Sequence, residues 1–279
     1  MMLTLPAPAK LNLFLHITGR RADGYHLLQT LFVFLDFCDE ISLAVRADGV
    51  IRRTTASTSV AEAADLSVRA ARLLQQETGC RLGADIGVLK RIPMGGGLGG
   101  GSSDAATVLQ GLNRLWQCGL DDDQLAALGL QLGADVPVFV RGHAAWAEGI
   151  GEQLTPVVVP EVWYVVIHPR VHVPTAELFS AEDLTRNCPP IKLAAFHNGL
   201  GVNVFQSVVE KRYPEVAEAS SWLARHAKAV LTGSGSCLFA EVSSEIEGTS
   251  ILQRLPEKWF GFVAKGQVVS PLQQRLLSN

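Results

Sequence analysis

The chain is short of cysteine and aromatics and has no long apolar run, and each shortage narrows the field. Its five cysteines, Cys38, Cys80, Cys118, Cys188 and Cys237, are scattered and form no C-x-x-C pair. An odd, unclustered set argues against a disulfide framework or a thiolate metal site and for reduced, mostly buried thiols. The most apolar stretch, 157–167, is too short for a membrane span and is interrupted by Pro160 and Glu161. The first residues lack the charged region, apolar core and cleavage site of an export signal, so a soluble, cytoplasmic protein is expected. Basic residues number 24 against 27 acidic, a net charge of −3. With no basic field to hold nucleic acid or an anionic membrane, any anionic ligand has to be gripped locally. The 279 residues, 48% of them hydrophobic, suffice for one large domain or two closely packed ones.

What the chain has in excess is glycine in one place. Between Pro93 and Ala106 six of fourteen residues are glycine: Gly95, Gly96, Gly97, Gly99, Gly100 and Gly101. Apolar residues then recur at helical spacing at Ala105, Val108, Leu109, Leu112, Leu115 and Trp116, with Ser102 or Ser103 placed to cap the helix. Glycines that free backbone N–H groups ahead of a helix N-terminus make a phosphate site. Gly95, Gly97 and Gly100 also match G-x-G-x-x-G, with an acidic cluster at Asp121 to Asp123, but Lys90, Arg91 and Pro93 separate them from the preceding strand. The G-x-x-x-x-G-K-[ST] loop fails because Gly101 stands where its lysine belongs.

Elsewhere the pattern predicts alternating helices and strands. Residues 3–17 read as a strand with Leu11, Leu13 and Leu15 on one face and Asn12, Phe14 and His16 on the other. Lys10 shares a face with Asn12, and is either a solvated edge or a functional cation. Gly19 to His26 is a loop that gathers two arginines with Tyr25 and His26; tight turn and binding loop are both open. Two strands are expected at 27–37 and 39–45, a helix at 65–76 ended near Gly79, and a strand at 84–90. Asp121 to Gln124 reads as the cap of a helix over 125–132 rather than a metal site. Asp135 falls between that helix and an apolar strand, either a turn residue or a partly buried acid. A second region starts near Val157, with a strand at 162–167, helices opening at Pro174 with Thr175 near the cap, at 203–209 and at 214–227, and a small-residue turn from Val230 to Ala240.

Three separated segments then coincide with one family pattern. Pro8 to Asn12, Pro93 to Ala106 and Thr232 to Ser236 resemble, in order and spacing, the three signature motifs of the GHMP small-molecule kinases. Gly19 to His26, the form Gly99-Gly100-Gly101-Ser102-Ser103-Asp104, and Gly133 to Pro137 narrow the likeness. They resemble the branch that phosphorylates the 2-hydroxyl of a cytidylyl-methylerythritol in the non-mevalonate route to isoprenoid precursors. The resemblance spans essentially the whole chain. It implies an α/β two-domain protein of the ribosomal S5 domain 2-like type, with an ATP-binding half over 1–155 and a substrate half over 156–279.

The resemblance also assigns roles. Lys10 and Asp135 match the family's catalytic lysine and aspartate. The backbone from Gly95 through Gly96, Gly97, Leu98, Gly99, Gly100 and Gly101 to Ser102 and Ser103 would hold the phosphates of ATP, with Mg²⁺ bridging them. Asp65, Leu66, Lys90 and Met94 fall in the adenine pocket, where the family carries asparagine at position 65. Asp104 is open between cap, adenosine contact and magnesium shell. Tyr25 and Phe179 would sandwich the cytosine ring, His26 would read its edge, and Asn12 and Thr175 would face the sugar or diphosphate. Partners are the small molecule and ATP, with no nucleic acid or membrane, in a monomer or weak homodimer. Homoserine or phosphomevalonate kinases share the three motifs but lack the Tyr25-His26 loop with Phe179; a non-catalytic relative would not need both Lys10 and Asp135.

Overall fold

The computed structural model describes residues 2–55 and 60–278. In the first half, β1 (Met2–Arg20), β2 (His26–Arg46) and β3 (Ile51–Arg53) are followed by α1 (Leu66–Thr78), β4 (Gly83–Leu89), α2 (Gly100–Leu115), α3 (Asp122–Leu132), α4 (Val136–Arg141), β5 (Ala145–Glu148) and β6 (Gln153–Pro156). The second half runs β7 (Trp163–His168), α5 (Thr175–Phe179), α6 (Leu193–His197), α7 (Gln206–Arg212) and α8 (Pro214–Leu223). It continues with β8 (Val230–Leu231), β9 (Leu238–Val242), α9 (Glu245–Leu252), β10 (Phe260–Gln267) and α10 (Pro271–Leu277).

The spine is β2. Two strands were expected there, but one strand runs unbroken through Cys38 because partners take up each part of its length. Its residues 40–46 pair with β4, 34–35 with β10 and 30–32 with β5, while β1 lies antiparallel along the other edge. The sheet order β3-β4-β2-β10-β7-β9-β8 therefore carries both halves, and the last strand closes the seam between them. Register shifts in β1 between Pro8 and Lys10 and between Asn12 and Leu15 break the expected alternation. Within the second shift Phe14 joins the core of Leu11, while past it Leu15 and Ile17 pass to the core of the second half.

Local chemistry explains most helix ends. Asp65 caps α1 by accepting from Ser67 N, and left-handed Gly79 ends it. Asp121 and Gln124 form a reciprocal capping box on α3. The segment 136–140, expected as a strand, is the helix α4. Its valines and Phe139 are buried on every side against α2 and α3, and Pro137 suits a first helical turn. Pro174 takes the cap position of α5, and Thr175, expected near the cap, is the first helical residue.

Candidate active site

The glycine segment is threaded between two neighbours. On one side the N–H of Lys10 donates to Leu98 O at 3.0 Å; on the other the N–H of Cys237 donates to Gly96 O at 3.1 Å. Contact is so close that a Cβ on Gly97 would sit 2.1 Å from Thr232 O, and its φ of +75° is one that side chains rarely adopt. The three motif segments are thus one unit, zipped together by main-chain hydrogen bonds.

The helix that follows starts earlier than the serines suggested. Left-handed Gly99 occupies the cap position without a side-chain hydrogen bond, and α2 begins at Gly100. The first helical bond runs from Ser103 N to Gly99 O, so the N–H groups of Gly100, Gly101 and Ser102 have no helical acceptor. An uncapped helix end lined by glycine is left facing a cavity of about 1000 Å³, suited to phosphate. Ser102 lines that cavity, whereas the Ser103 hydroxyl is buried, off the lining and without a partner.

A second cavity, about 620 Å³, opens on the other side. Lys10, Asp135, Thr175, Gly233 and Ser234 line both, so the two meet at a charged pair. Lys10 is only 2% exposed and is fixed from three directions. Its Nζ donates to Asn12 Oδ1 and, at 2.9 Å, to Gly97 O, and lies 3.4 Å from Asp135 Oδ2. Asn12 is held in turn: its Nδ2 donates to Thr30 Oγ1 at 2.9 Å and its N–H to Thr232 Oγ1 at 3.0 Å. Expected to face a ligand, Asn12 lines the smaller cavity but spends its side chain on orienting Lys10. Asp135 precedes α4 without a side-chain hydrogen bond to the helix end, which leaves its carboxylate to Lys10 and the cavities, with 38% of the side chain open to solvent. Thr175 and Ser234 join their hydroxyls at 2.7 Å across the junction.

Aromatic rings line the smaller cavity. His26 stacks on Phe179 with centroids 4.9 Å apart and planes at 23°, and Phe205 meets the same ring edge-on at 5.0 Å. Tyr25, expected opposite Phe179, is 60% exposed at the rim. His26 Nε2 is buried without a partner. Burial, with help from the Arg186 and Arg20 guanidinium groups, holds its pKa below the usual histidine range, so the ring is neutral at pH 7.

In the larger cavity the polar residues are already engaged with one another. Lys90 Nζ donates to Asp39 Oδ2 and, at 2.7 Å, to Asp104 Oδ2. Asp39 Oδ1 also accepts from the N–H groups of Arg91 at 2.5 Å and Ile92 at 2.8 Å, pinning the entry to the glycine loop. Sequence reasoning missed Asp39, which reads there as an ordinary strand residue. The other oxygen of Asp104 is buried without a partner, and burial, opposed by Lys90, pushes that carboxyl up to about 7. Burial alone would lower the Lys90 pKa, but Asp104 and Asp39 outweigh it and raise it. Asp65 Oδ1 accepts from Ser67 N and Oδ2 from Arg53, so it arrives with both oxygens taken. Leu66 and half-exposed Met94 line the wall.

Comparison with known proteins fits this layout. Residues 65–143 match the model of the GHMP kinases N terminal domain, and 181–261 that of the GHMP kinases C terminal domain. A 4-diphosphocytidyl-2-C-methyl-D-erythritol kinase of Pseudomonas fluorescens (strain Pf0-1) is 58% identical over 276 residues, covering 99% of this chain and 98% of its own length. A crystal structure of a 4-(cytidine 5'-diphospho)-2C-methyl-D-erythritol kinase aligns with a TM-score of 0.81 at 32% identity, over 95% of this chain and 99% of that one. A homoserine kinase structure from Cytophaga hutchinsonii aligns with a TM-score of 0.67, over 96% of this chain and 95% of that one, but at 16% identity shares the fold alone.

Proposed function

Because the chain belongs to the GHMP kinases, and within them to the 4-diphosphocytidyl-2-C-methyl-D-erythritol kinases, we propose that Lys10 and Asp135 carry the transfer of a phosphoryl group from ATP to the 2-hydroxyl of 4-diphosphocytidyl-2-C-methyl-D-erythritol. The observation that carries this reading is the meeting of two cavities at that pair. ATP enters the larger cavity, its phosphates on the N–H groups of Gly100, Gly101 and Ser102 and its base toward Leu66, Met94 and Lys90. The cytidylyl substrate enters the smaller one, its base beside Phe179, His26 and Tyr25 and its methylerythritol end at the junction.

Phosphoryl transfer asks a protein mainly for alignment and neutralisation of charge. Asp135 accepts a hydrogen bond from the attacking hydroxyl and takes its proton as the new P–O bond forms and the bond from the γ-phosphorus to the bridging oxygen breaks, releasing ADP. The Lys10 ammonium, fixed by Asn12 and Gly97 O, faces both that carboxylate and the incoming phosphoryl oxygens. Its rigidity means that little reorganisation is needed when negative charge shifts.

Among the described residues no cluster of three His, Cys, Asp or Glu is placed to cage a metal. The donors present fit a Mg²⁺ that keeps most of its ligands from phosphate and water, with the Ser102 hydroxyl and the open side of Asp135 completing the set. Such an ion would neutralise phosphate charge. No helix among the described residues is long and apolar enough to cross a membrane. In this reading the enzyme acts in the cytoplasm as a monomer or weak homodimer, with its halves dividing near residue 155.

The direct test is an ATP-dependent phosphorylation assay on 4-diphosphocytidyl-2-C-methyl-D-erythritol, homoserine and phosphomevalonate, with the product's phosphate position read by ³¹P and ¹H NMR. Turnover of the first alone, at the 2-position, is expected; preference for either other acceptor overturns the reading.

A further inference from the structure

Phe179 stands at the C-terminal end of a five-residue helix, too short to be rigid on its own. Its main chain is nevertheless braced, and the brace is a side chain further along the chain. Half-buried Arg186 turns back on the helix end: Nη2 donates to Phe179 O at 2.8 Å and to Ala181 O at 2.7 Å, and Nη1 donates to Leu184 O at 3.1 Å. A planar fork that satisfies three carbonyls at once fixes their geometry more firmly than a lysine can. The segment is anchored from behind, where Cys188 N donates to Ile17 O of β1 at 2.9 Å, and the Phe179 ring rests edge-on against buried Phe205.

We propose that Arg186 is the positioning residue of the cytidylyl cavity, holding Phe179 as the fixed wall on which the substrate's base stacks. Arg186 does not itself line that cavity, and acts through the carbonyls it grips. It has a second effect through charge. Its guanidinium and that of Arg20 on β1 both disfavour a proton on His26, in addition to burial. The acid of the same loop, Asp23, also lines the cavity and is engaged by Arg21 at 2.7 Å. A neutral imidazole donates from one nitrogen and accepts at the other, whereas an imidazolium only donates. Only a neutral imidazole has an acceptor nitrogen to offer the amino donor of a cytosine edge; the cation has none.

The proposal rests on the kinase reading above, and the test separates the two. Arg186→Gln removes fork and charge; Arg186→Lys removes the fork and keeps the charge. In the full-length enzyme Arg186→Gln is expected to raise KM for the cytidylyl substrate about tenfold, the scale of one lost charge-assisted hydrogen bond, with kcat and KM for ATP little changed. In the ligand-free protein the NMR titration midpoint of His26, assigned with His26→Gln, moves upward in Arg186→Gln and stays in place in Arg186→Lys, whose KM still rises. An unmoved KM and midpoint in Arg186→Gln overturn the proposal, as does a loss spread equally over both substrates. If Arg186→Gln does not fold, Arg186→Lys decides: wild-type KM refutes the fork. Should wild-type enzyme ignore the cytidylyl substrate, the kinase reading fails while the His26 titration still tests Arg186.

Discussion

Lys10 Nζ and Asp135 Oδ2 lie 3.4 Å apart, one group all but buried and the other open to both cavities. The buried member is locked and the open member is free to meet substrate, an asymmetry suited to a charge that must not move beside a base that must reach. Replacing Asp135 with Asn keeps the shape and removes the proton acceptor. The expected result is a fall in kcat of roughly 10²- to 10⁴-fold with ATP affinity preserved, as measured by single-turnover quench and calorimetry. Lys10→Ala should lower kcat similarly, and the double variant should be little worse than either, because the two act as a unit. Near-normal turnover in Asp135→Asn removes that residue from the chemistry.

Gly97 tests the zipped loop. Its carbonyl holds Lys10, its φ is +75°, and an added Cβ would press into the Thr232 carbonyl at 2.1 Å, a main-chain atom that cannot swing aside. Gly97→Ala should therefore push the glycine loop off the 232–237 turn and displace Lys10 with it. ATP affinity should drop by tenfold or more, a change of about 1.4 kcal/mol, and kcat should fall in parallel. Gly119, also at positive φ but with nothing within 4 Å, is the control: Gly119→Ala should strain only its own turn and leave ATP binding intact.

Much of this architecture was legible where local chemistry alone decides. Asp65 before α1, Gly79 after it and the Asp121–Gln124 pair are signals complete within four residues of sequence. Legibility failed where the decision lies in distant packing. Val136 to Val140 is apolar at every position, so no period separates a buried strand from a buried helix; α2 and α3, packed around it, decide for the helix. The single long β2 needed partners contributed by β10, which is more than 200 residues away. Asp39 and Arg186 carry no local mark, since their partners are a lysine 51 residues on and three main-chain carbonyls. The bulges in β1 that aim Lys10 and Asn12 are likewise invisible in the alternation they interrupt.

Base binding must part the ring pair that now fills the cavity wall. With its centroid 4.9 Å from that of Phe179, the His26 ring covers the Phe179 face on which the base would stack, so it has to move aside to reach the base's edge. Addition of the cytidylyl substrate should therefore shift the His26 ring protons as the Phe179 ring current is lost, with no such shift on adding ATP alone. Tyr25 is at the rim, so Tyr25→Ala should leave thermal stability unchanged. It should raise KM for the cytidylyl substrate by about tenfold, the worth of one base-stacking face. An effect confined to ATP would mean that the two cavities are assigned the wrong way round.

Asp104 should make stability depend on pH in a direction opposite to that of most carboxylates. Burial, with help from the neighbouring Asp39 carboxylate, lifts its pKa to about 7 even with Lys90 at 2.7 Å, and its second oxygen has no partner. In the unfolded chain it titrates near an ordinary aspartate value of about 4. Between those two pH values the native protein holds a proton that the unfolded chain has released, so this group favours folding fully below about pH 4 and progressively less as pH rises toward 7. Above that the contribution is flat. Asp104→Asn cannot titrate, and the amide can still accept from Lys90. The stability of the wild type relative to Asp104→Asn, from urea unfolding at pH steps between 4.5 and 8, chosen to span roughly that window, should thus decline up to neutrality and then level off. Parallel curves would show that Lys90 keeps Asp104 ionised throughout, and a rising difference would show that its native pKa is depressed rather than raised.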